Sequence, residues 1–360
     1  MFSIGERLRA YSLLSILEGC AIICGWTMKG IGMNKRPTIM ILGTGRALPE
    51  KVVTNADLEK IVDTTAEWIQ ARTGIERRHI AEPGSALSDL AAEAAQKALD
   101  DAGVAADEIG LIVFGTVTGD MKFPSTACLL QEKIGAKKAV AFDLSAACSG
   151  FLYSSAVAEG LMATSGYKKA LVIGGEILTS MVDWNDRNTC VLFGDGVGAV
   201  VLGPAKDERG LLASYLKSDG AYSDLLYNEG GSLNPPSAES LAAKKHFIYM
   251  EGQEVFRNAV VSMTDALKRV LKEAGMTIND LDLLIPHQAN LRIIEAVGKR
   301  IKVPTEKVYI NVDRYGNTSA ASIPIALDEA RRSGRIKEGS VVGMVTFGAG
   351  FTWAAGIVRL

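Results

Sequence analysis

The feature that most limits how this chain folds is an internal echo. A helical pattern over 91–101 closes at Gly103, and an apolar run of strand length, Leu111-Ile112-Val113-Phe114, follows it. The same order returns as a helical pattern over 262–273, then Gly275, then Leu283-Leu284-Ile285-Pro286. Residues 103, 109 and 111 correspond to 275, 281 and 283, a shared offset of 172. Helix, glycine, strand is ordinary punctuation in an α/β chain; one offset shared by all three marks is not. Two further echoes keep the order: Ser145-Ala-Ala-Cys148 with Ser319-Ala-Ala-Ser322, at 174, and Phe193-Gly-Asp-Gly196 with Phe347-Gly-Ala-Gly350. A period this long is far beyond a solenoid repeat. It implies two similar α/β halves, 36–206 and 207–360, facing one another across a natural ligand cleft.

Composition removes several classes. With 39 basic and 41 acidic residues the chain carries a formal charge of −2, which takes away the basic excess of a general nucleic-acid binder. Hydrophobic residues at 48% and charged residues at 22% argue against disorder. Five cysteines without a disulfide framework's spacing suit a cytosolic protein. The first 35 residues differ from the rest. Their apolar stretch over 13–26 is broken by Glu18, Gly19 and Gly25, is too short to span a membrane, and precedes no good cleavage site. We expect a dispensable leader over 1–35, with Met28 or Met33 as alternative starts. Cys20 and Cys24 lack the second pair that a metal site requires.

Four places carry candidate chemistry. Cys148 follows a strand-like run over 139–144 and opens a helical pattern over 150–163. Unpaired amides and the positive end of the helix dipole favour a thiolate there, and small neighbours admit a substrate. Cys20, Cys24 and Cys128 read as packing residues, and Cys190 as either. His287 follows an apolar strand over 281–285, where open α/β sheets place their sites. His79 and His246 sit in basic stretches and read as surface residues. Asn317, after an expected strand over 308–312, is either a turn residue or a neutral donor facing the cleft. The glycine-rich run over 347–351 either presents amides to an oxyanion or makes a tight turn. Cysteine peptidases also use Cys, His and Asn, but the flanking pattern of their cysteine is absent. No Walker loop occurs, and 194–198 lacks dinucleotide-binding spacing.

The chain resembles the β-ketoacyl-acyl-carrier-protein synthase III family of thiolase-like condensing enzymes, from about residue 38 to 360. The resemblance rests on Ala146-Ala147-Cys148-Ser149-Gly150-Phe151, His287-Gln288-Ala289-Asn290-Leu291-Arg292, Gly316-Asn317-Thr318-Ser319-Ala320 and the run over 347–353. Residues 54–59 and 68–78 support it. One departure is Ala349, where the family usually has Gly-Gly-Gly-Phe; the backbone N–H survives that change.

The resemblance implies an α/β chain with a duplicated, five-layered αβαβα fold and a cytoplasmic homodimer. The implied reaction is a decarboxylative Claisen condensation of a short acyl-CoA, acetyl-CoA first, with malonyl-acyl-carrier protein. Its product is a 3-oxoacyl-acyl-carrier protein, at the start of fatty acid biosynthesis. Cys148 would be acylated, with its own N–H and that of Ala349 as the oxyanion hole, and His287 with Asn317 would hold the enolate. Trp68, Arg72, Arg187, Gly252 and Asn290 would bind CoA, and Phe123, Phe193 and Phe347 would line the acyl pocket. Arg257, Gln288, Ala289, Asn290, Leu291, Arg292, Lys299 and Arg300 would meet the acyl carrier protein. Arg292, Lys299 and Arg300 share a helix face by spacing, the bland alternative being a solvated face. Neither cofactor, metal, nucleic acid nor membrane is implied. Alternatives are a condensing enzyme of a specialised polyketide or quinolone pathway, and a Cys-His-Asn hydrolase. A thiolase is disfavoured, because no second cysteine stands near the C-terminal glycine loop.

Overall fold

The computed structural model describes residues 39–205 and 207–360; the expected leader, with Cys20, Cys24, Met28 and Met33, lies outside them. The first sheet is built from β1 (Ile39–Ala47), β2 (Leu111–Gly115), β3 (Val140–Leu144), β4 (Ala170–Glu176) and β5 (Gly196–Pro204). Their order is β1-β5-β4-β2-β3, with β2 parallel to both β3 and β4, and β5 antiparallel to its neighbours. The second sheet takes β6 (Gly210–Ser218), β7 (Leu283–Pro286), β8 (Val341–Gly348) and β9 (Thr352–Arg359) in the order β6-β9-β8-β7. Every residue of β2, β4, β7 and β8 is buried. That is why these segments read as unbroken apolar runs rather than as alternating ones.

The longer helices are α1 (Ala66–Thr73), α2 (Leu87–Ala102), α3 (Thr126–Ile134), α4 (Gly150–Ser165), α5 (Gly252–Glu273), α6 (Leu291–Ile301) and α7 (Ser322–Arg332). Helix α2 stops where the sequence says it should, at Gly103 with φ 61°. Three apolar clusters define five layers. One joins α2 and α3 to the outer face of the first sheet, and another joins α5 and α6 to the outer face of the second. The third lies between the sheets and contains α4 and α7. Helix α4 is apolar on most faces because both flanks are covered, whereas α5 and α6 carry one apolar stripe. The expected αβαβα architecture is present.

The duplication is structural, with corrections to its details. Ala147 (φ 46°) and Ser319 (φ 49°) occupy the same left-handed position, three residues before Gly150 and Ser322 open α4 and α7. The offset there is again 172, so the 174 echo is misregistered: Cys148 corresponds to Ala320, and Ser322 to Gly150. The third echo is no equivalence at all. Gly196 pairs with Glu176 as Thr352 pairs with Gly348, so the β4–β5 connection runs over 177–195 where its counterpart is only 349–351. The expected strand over 308–312 is also absent. Only Val308 bridges to β7, and a short helix, Val312–Tyr315, follows. The chain is turned there by Gln288, whose side-chain oxygen accepts the Asn311 and Val312 amides.

Both central helices begin hard against the first sheet. A β-carbon on Gly115 would stand 2.6 Å from the Gly150 carbonyl carbon, and one on Gly174 2.2 Å from the Ala320 carbonyl oxygen. These bare positions let the two equivalent turns approach the strand ends closely.

Candidate active site

Cys148 sits on a single helical turn, Ala147–Ser149, that leads into α4. Side chains of the second half hold this turn. Thr346 Oγ1 donates to the Cys148 carbonyl at 2.9 Å, and Thr352 Oγ1 donates to the Ala146 carbonyl at 3.0 Å. Ser149 Oγ donates to the Thr352 carbonyl at 3.2 Å. Cys148, in one half, is therefore fixed to the facing ends of β8 and β9 in the other. In that turn Ala349 is half-buried, and its N–H has no hydrogen-bond partner among the described residues. Burial pushes the Cys148 thiol up to about 11; the Ser319 hydroxyl opposes this and the nearby Glu176 charge adds to it. The expectation of a resting thiolate is corrected accordingly, because desolvation outweighs the helix amides.

His287 follows β7 and donates its backbone N–H to the Val345 carbonyl at 2.8 Å. It is buried, and its Nδ1 lies 2.7 Å from Ser322 Oγ, at the start of α7. Burial pushes the ring down to about 3, so it is a neutral imidazole with Nε2 left for a ligand. Asn317 lies on the equivalent turn of the second half. Its backbone is clamped to the 177–195 connection, donating to the Leu192 carbonyl and accepting from the Gly194 amide. Its Oδ1 accepts from the Ser319 amide at 2.8 Å, which leaves Nδ2 as an outward donor. Asn317 is thus neither a bare turn residue nor the orienting partner of His287.

Sequence reasoning missed three participants. Glu176, the last residue of β4, is fully buried and hydrogen-bonded by Thr116, Val117 and Thr118. Burial pushes its carboxyl up to about 7. Ser319 Oγ lies 3.4 Å from Glu176 Oε1, and its hydroxyl lowers the Cys148 thiol against the effect of burial. Ser322 fixes His287. Both serines stood inside the noted echo without a role, and Glu176 was legible only as a charge ending an apolar strand.

Away from the nucleophile, Trp68 on α1 is flanked by two guanidiniums, Arg72 at 5.6 Å and Arg187 at 5.1 Å from its ring centre. Asn290 caps α6 and donates to the Arg72 carbonyl at 3.1 Å. Gly252 begins α5 and is exposed. Arg257, Arg292, Lys299 and Arg300 are exposed, and Arg292 lies over Phe256 of α5, joining the two helices. Ala289 and Leu291 are half-buried, Leu291 against Gly74. Gln288 does not belong to this surface: it is buried and uses both ends of its amide on neighbouring backbone.

Phe347 is also corrected. It faces α5 on the opposite side of β8 from Thr346, as the two-residue period of a strand requires. Phe193 is buried beside the Asn317 backbone, while Phe123 is 83% exposed. His79 and His246 are half-buried rather than surface residues, His79 against Tyr315 and His246 against Phe247. Cys128 is half-buried, accepting from Ser125 Oγ, and Cys190 is a buried packing residue. Among the described residues no His, Cys, Asp and Glu cluster could hold a metal ion, and no helix is long and apolar enough to cross a membrane.

The models of 3-oxoacyl-[acyl-carrier-protein] synthase III match residues 142–220 and, for its C-terminal part, 271–360. The β-ketoacyl-[acyl-carrier-protein] synthase III of Caldanaerobacter subterraneus subsp. tengcongensis is 54% identical over 320 residues, covering 89% of this chain and 97% of that protein. Its namesake in Xanthomonas campestris pv. campestris is 50% identical, covering 91% and 100%. The crystal structure of the Aquifex aeolicus 3-oxoacyl-[acyl-carrier-protein] synthase III superposes with a TM-score of 0.84 at 45% identity, covering 89% and 100%. The priming β-ketosynthase of the R1128 polyketide pathway gives 0.85 at 34% identity, covering 92% and 98%.

Proposed function

The chain belongs to the β-ketoacyl-acyl-carrier-protein synthase III family, condensing acyltransferases that initiate fatty acid biosynthesis, and we propose that Cys148, His287 and Asn317 carry its two half-reactions. In the first, Cys148 sulfur attacks the thioester carbonyl of a short acyl-CoA, acetyl-CoA being the preferred primer, and CoA leaves. The unpartnered Ala349 N–H and the Cys148 N–H hold the oxyanion.

In the second half-reaction malonyl-acyl-carrier protein replaces CoA. We assign the Ser322 hydroxyl, 2.7 Å from His287 Nδ1, as the donor of that pair; the single ring proton then resides on Nε2 and points at the thioester carbonyl beside Asn317 Nδ2. Two neutral donors stabilise the enolate as carbon dioxide leaves, and the enolate carbon attacks the acyl-cysteine. The observation that carries this division is the hydrogen bonding of Asn317. Its oxygen is taken by Ser319 and not by His287, so the side chains form a pair of donors rather than a hydrolase triad.

Trp68, Arg187 and Arg72 form the adenine-binding end of the CoA site, with Asn290 holding Arg72. The exposed arginines and lysine of α5 and α6 form a basic face for the acidic carrier protein. Strand β3 is the edge of its sheet, with Val140 exposed, and Phe123 is exposed as well. An apolar edge of this kind supports pairing with a second copy, through which Phe123 reaches an acyl pocket. A cytoplasmic setting suits these substrates. Identity of 54% to a fatty acid synthase component against 34% to a polyketide one favours the primary pathway.

Intact-mass measurement after incubation with acetyl-, isobutyryl- and octanoyl-CoA tests the reading. One acetyl adduct on the wild type and none on Cys148→Ser is expected. An adduct that persists in that variant overturns the assignment of the nucleophile.

A further inference from the structure

Glu176 has no task in the two half-reactions as described, yet it is buried beside the nucleophile. Resting on that condensing reading, we propose that Glu176, acting through the Ser319 hydroxyl, takes the Cys148 thiol proton during acylation and returns it after condensation.

The groups facing Glu176 come from three places. The segment after β2 supplies Thr116 Oγ1 at 3.0 Å, Thr118 Oγ1 at 2.5 Å and the Val117 N–H at 3.1 Å. The turn before α7 supplies Ser319 Oγ at 3.4 Å, and the turn before α4 supplies Cys148. All the hydrogen-bonding groups are uncharged; the titratable neighbour is Cys148. Sulfur, hydroxyl and carboxylate therefore form a chain leading from the reaction centre to a closed end. A carboxylate buried without a cation pays heavily for its charge, and burial accordingly pushes it up to about 7, where it can hold a proton near neutrality. The thiol stands at about 11, so at rest its proton stays on sulfur, and the ionised fraction of Glu176, whose carboxyl stands at about 7, is the acceptor. His287, pushed down to about 3, is a poor acceptor by comparison.

The steps balance. As the bond from Cys148 sulfur to the acyl carbon forms, the thiol proton moves to Ser319 Oγ and the Ser319 proton moves to Glu176 Oε1. The acyl carbon's bond to CoA sulfur breaks, and the CoA thiolate takes a proton from water. Carbon dioxide then leaves the malonyl group, and the enolate carbon attacks the acyl carbon. The bond to Cys148 breaks, and its thiolate recovers the stored proton through Ser319. Each turnover consumes one solvent proton, which departs on CoA. Between the two steps Glu176 is neutral, so the incoming malonyl carboxylate and the enolate face no buried anion.

Infrared difference spectroscopy of the full chain, before and after acetylation by acetyl-CoA, reads the stored proton. A protonated-carboxyl band appearing in the wild type and missing from Glu176→Gln is expected. Single-turnover acylation at pH 7 should fall about a hundredfold in Glu176→Gln and in Ser319→Ala. Decarboxylation of malonyl-carrier protein without primer should not fall in Glu176→Gln, which is neutral as the acylated wild type is, and Glu176→Asp should restore the pH limb of acylation. If Glu176→Gln does not fold, the wild-type band and Ser319→Ala still decide. Acetylated wild type without the band, or acylation by either variant at or above the wild-type rate with an unchanged pH profile, overturns the relay. A wild-type chain that accepts no acetyl group overturns the condensing reading on which it rests.

Discussion

Gly348 lies so close to Cys148 that a β-carbon added to it would stand 2.7 Å from the Cys148 amide nitrogen and 3.1 Å from its Cβ. The C-terminal end of β8 thus forms a wall behind the nucleophile, with no room for even a methyl group. Gly348→Ala should cost about 1–3 kcal/mol of stability, as overpacking does. Acylation should fall by roughly a hundredfold, the usual cost of an ångström's displacement at a reacting group. Thermal unfolding and single-turnover acylation check both. An unchanged acylation rate would show that the turn carrying Cys148 is looser than its hydrogen bonds indicate.

Asn317→Ala removes one of the two donors directed at the enolate. The expected loss is about 3–4 kcal/mol, or two to three orders of magnitude in decarboxylation of malonyl-carrier protein. Acylation by acetyl-CoA should fall much less, because backbone amides hold that oxyanion. The opposite pattern, with acylation blocked and decarboxylation intact, would restore the hydrolase-like triad.

His287 gives stability a pH dependence of definite sign. Its ring is held neutral in the native state, down to about 3, whereas the unfolded chain binds the proton near the ordinary 6.5. Its contribution is therefore complete above pH 6.5 and is lost as pH falls from there towards 3, by up to about 1.4 kcal/mol per pH unit. Glu176 acts in the opposite sense. Raised from 4.5 to about 7, it binds a proton preferentially in the native state, so its contribution is lost as pH rises through that window. Denaturant titrations of wild type and His287→Asn at several pH values separate the two. The stability difference between them should narrow on acidification, and a constant difference would contradict a buried neutral imidazole.

In the proposed CoA site Trp68 and Arg187 serve binding rather than bond making. Each cation–π contact is worth roughly 0.5–1 kcal/mol at a partly exposed site. Trp68→Ala should raise KM for acetyl-CoA by about tenfold, the equivalent of ~1.4 kcal/mol, with kcat nearly unchanged. Steady-state kinetics with acetyl-CoA decides this; a fall in kcat at constant KM would place the pair in the chemistry instead.

The sequence and the structure agree where a residue's surroundings are supplied locally. Leu111 and Leu283, each after a helix and a glycine, open the fully buried strands β2 and β7, because unbroken apolar runs are what two-sided burial requires. Cys148, His287 and Asn317 were legible as polar residues that follow such runs. The ionisation of Cys148 was not. A helix start favours a thiolate, but desolvation by the packing of both halves wins, and the charge of Glu176, 28 positions further along the chain, adds to it. Gln288 looked like part of an exposed binding motif because its neighbours are; only the path of 309–312 around it shows that its amide is consumed internally. Phe347 failed for a simpler reason, since a glycine-rich loop after it hid that it still belongs to the strand and points away from Thr346.

The one long segment present in the first half without a counterpart in the second is 177–195, and it carries Arg187 while bracing Asn317 through Leu192 and Gly194. In the proposed reaction, bond making rests on the paired turns at Cys148 and Ser319, whereas part of the grip on the donor's nucleotide, Arg187 over Trp68, comes from this appended span. Donor preference can therefore be re-engineered along 184–189 without disturbing the symmetry that positions the reacting atoms.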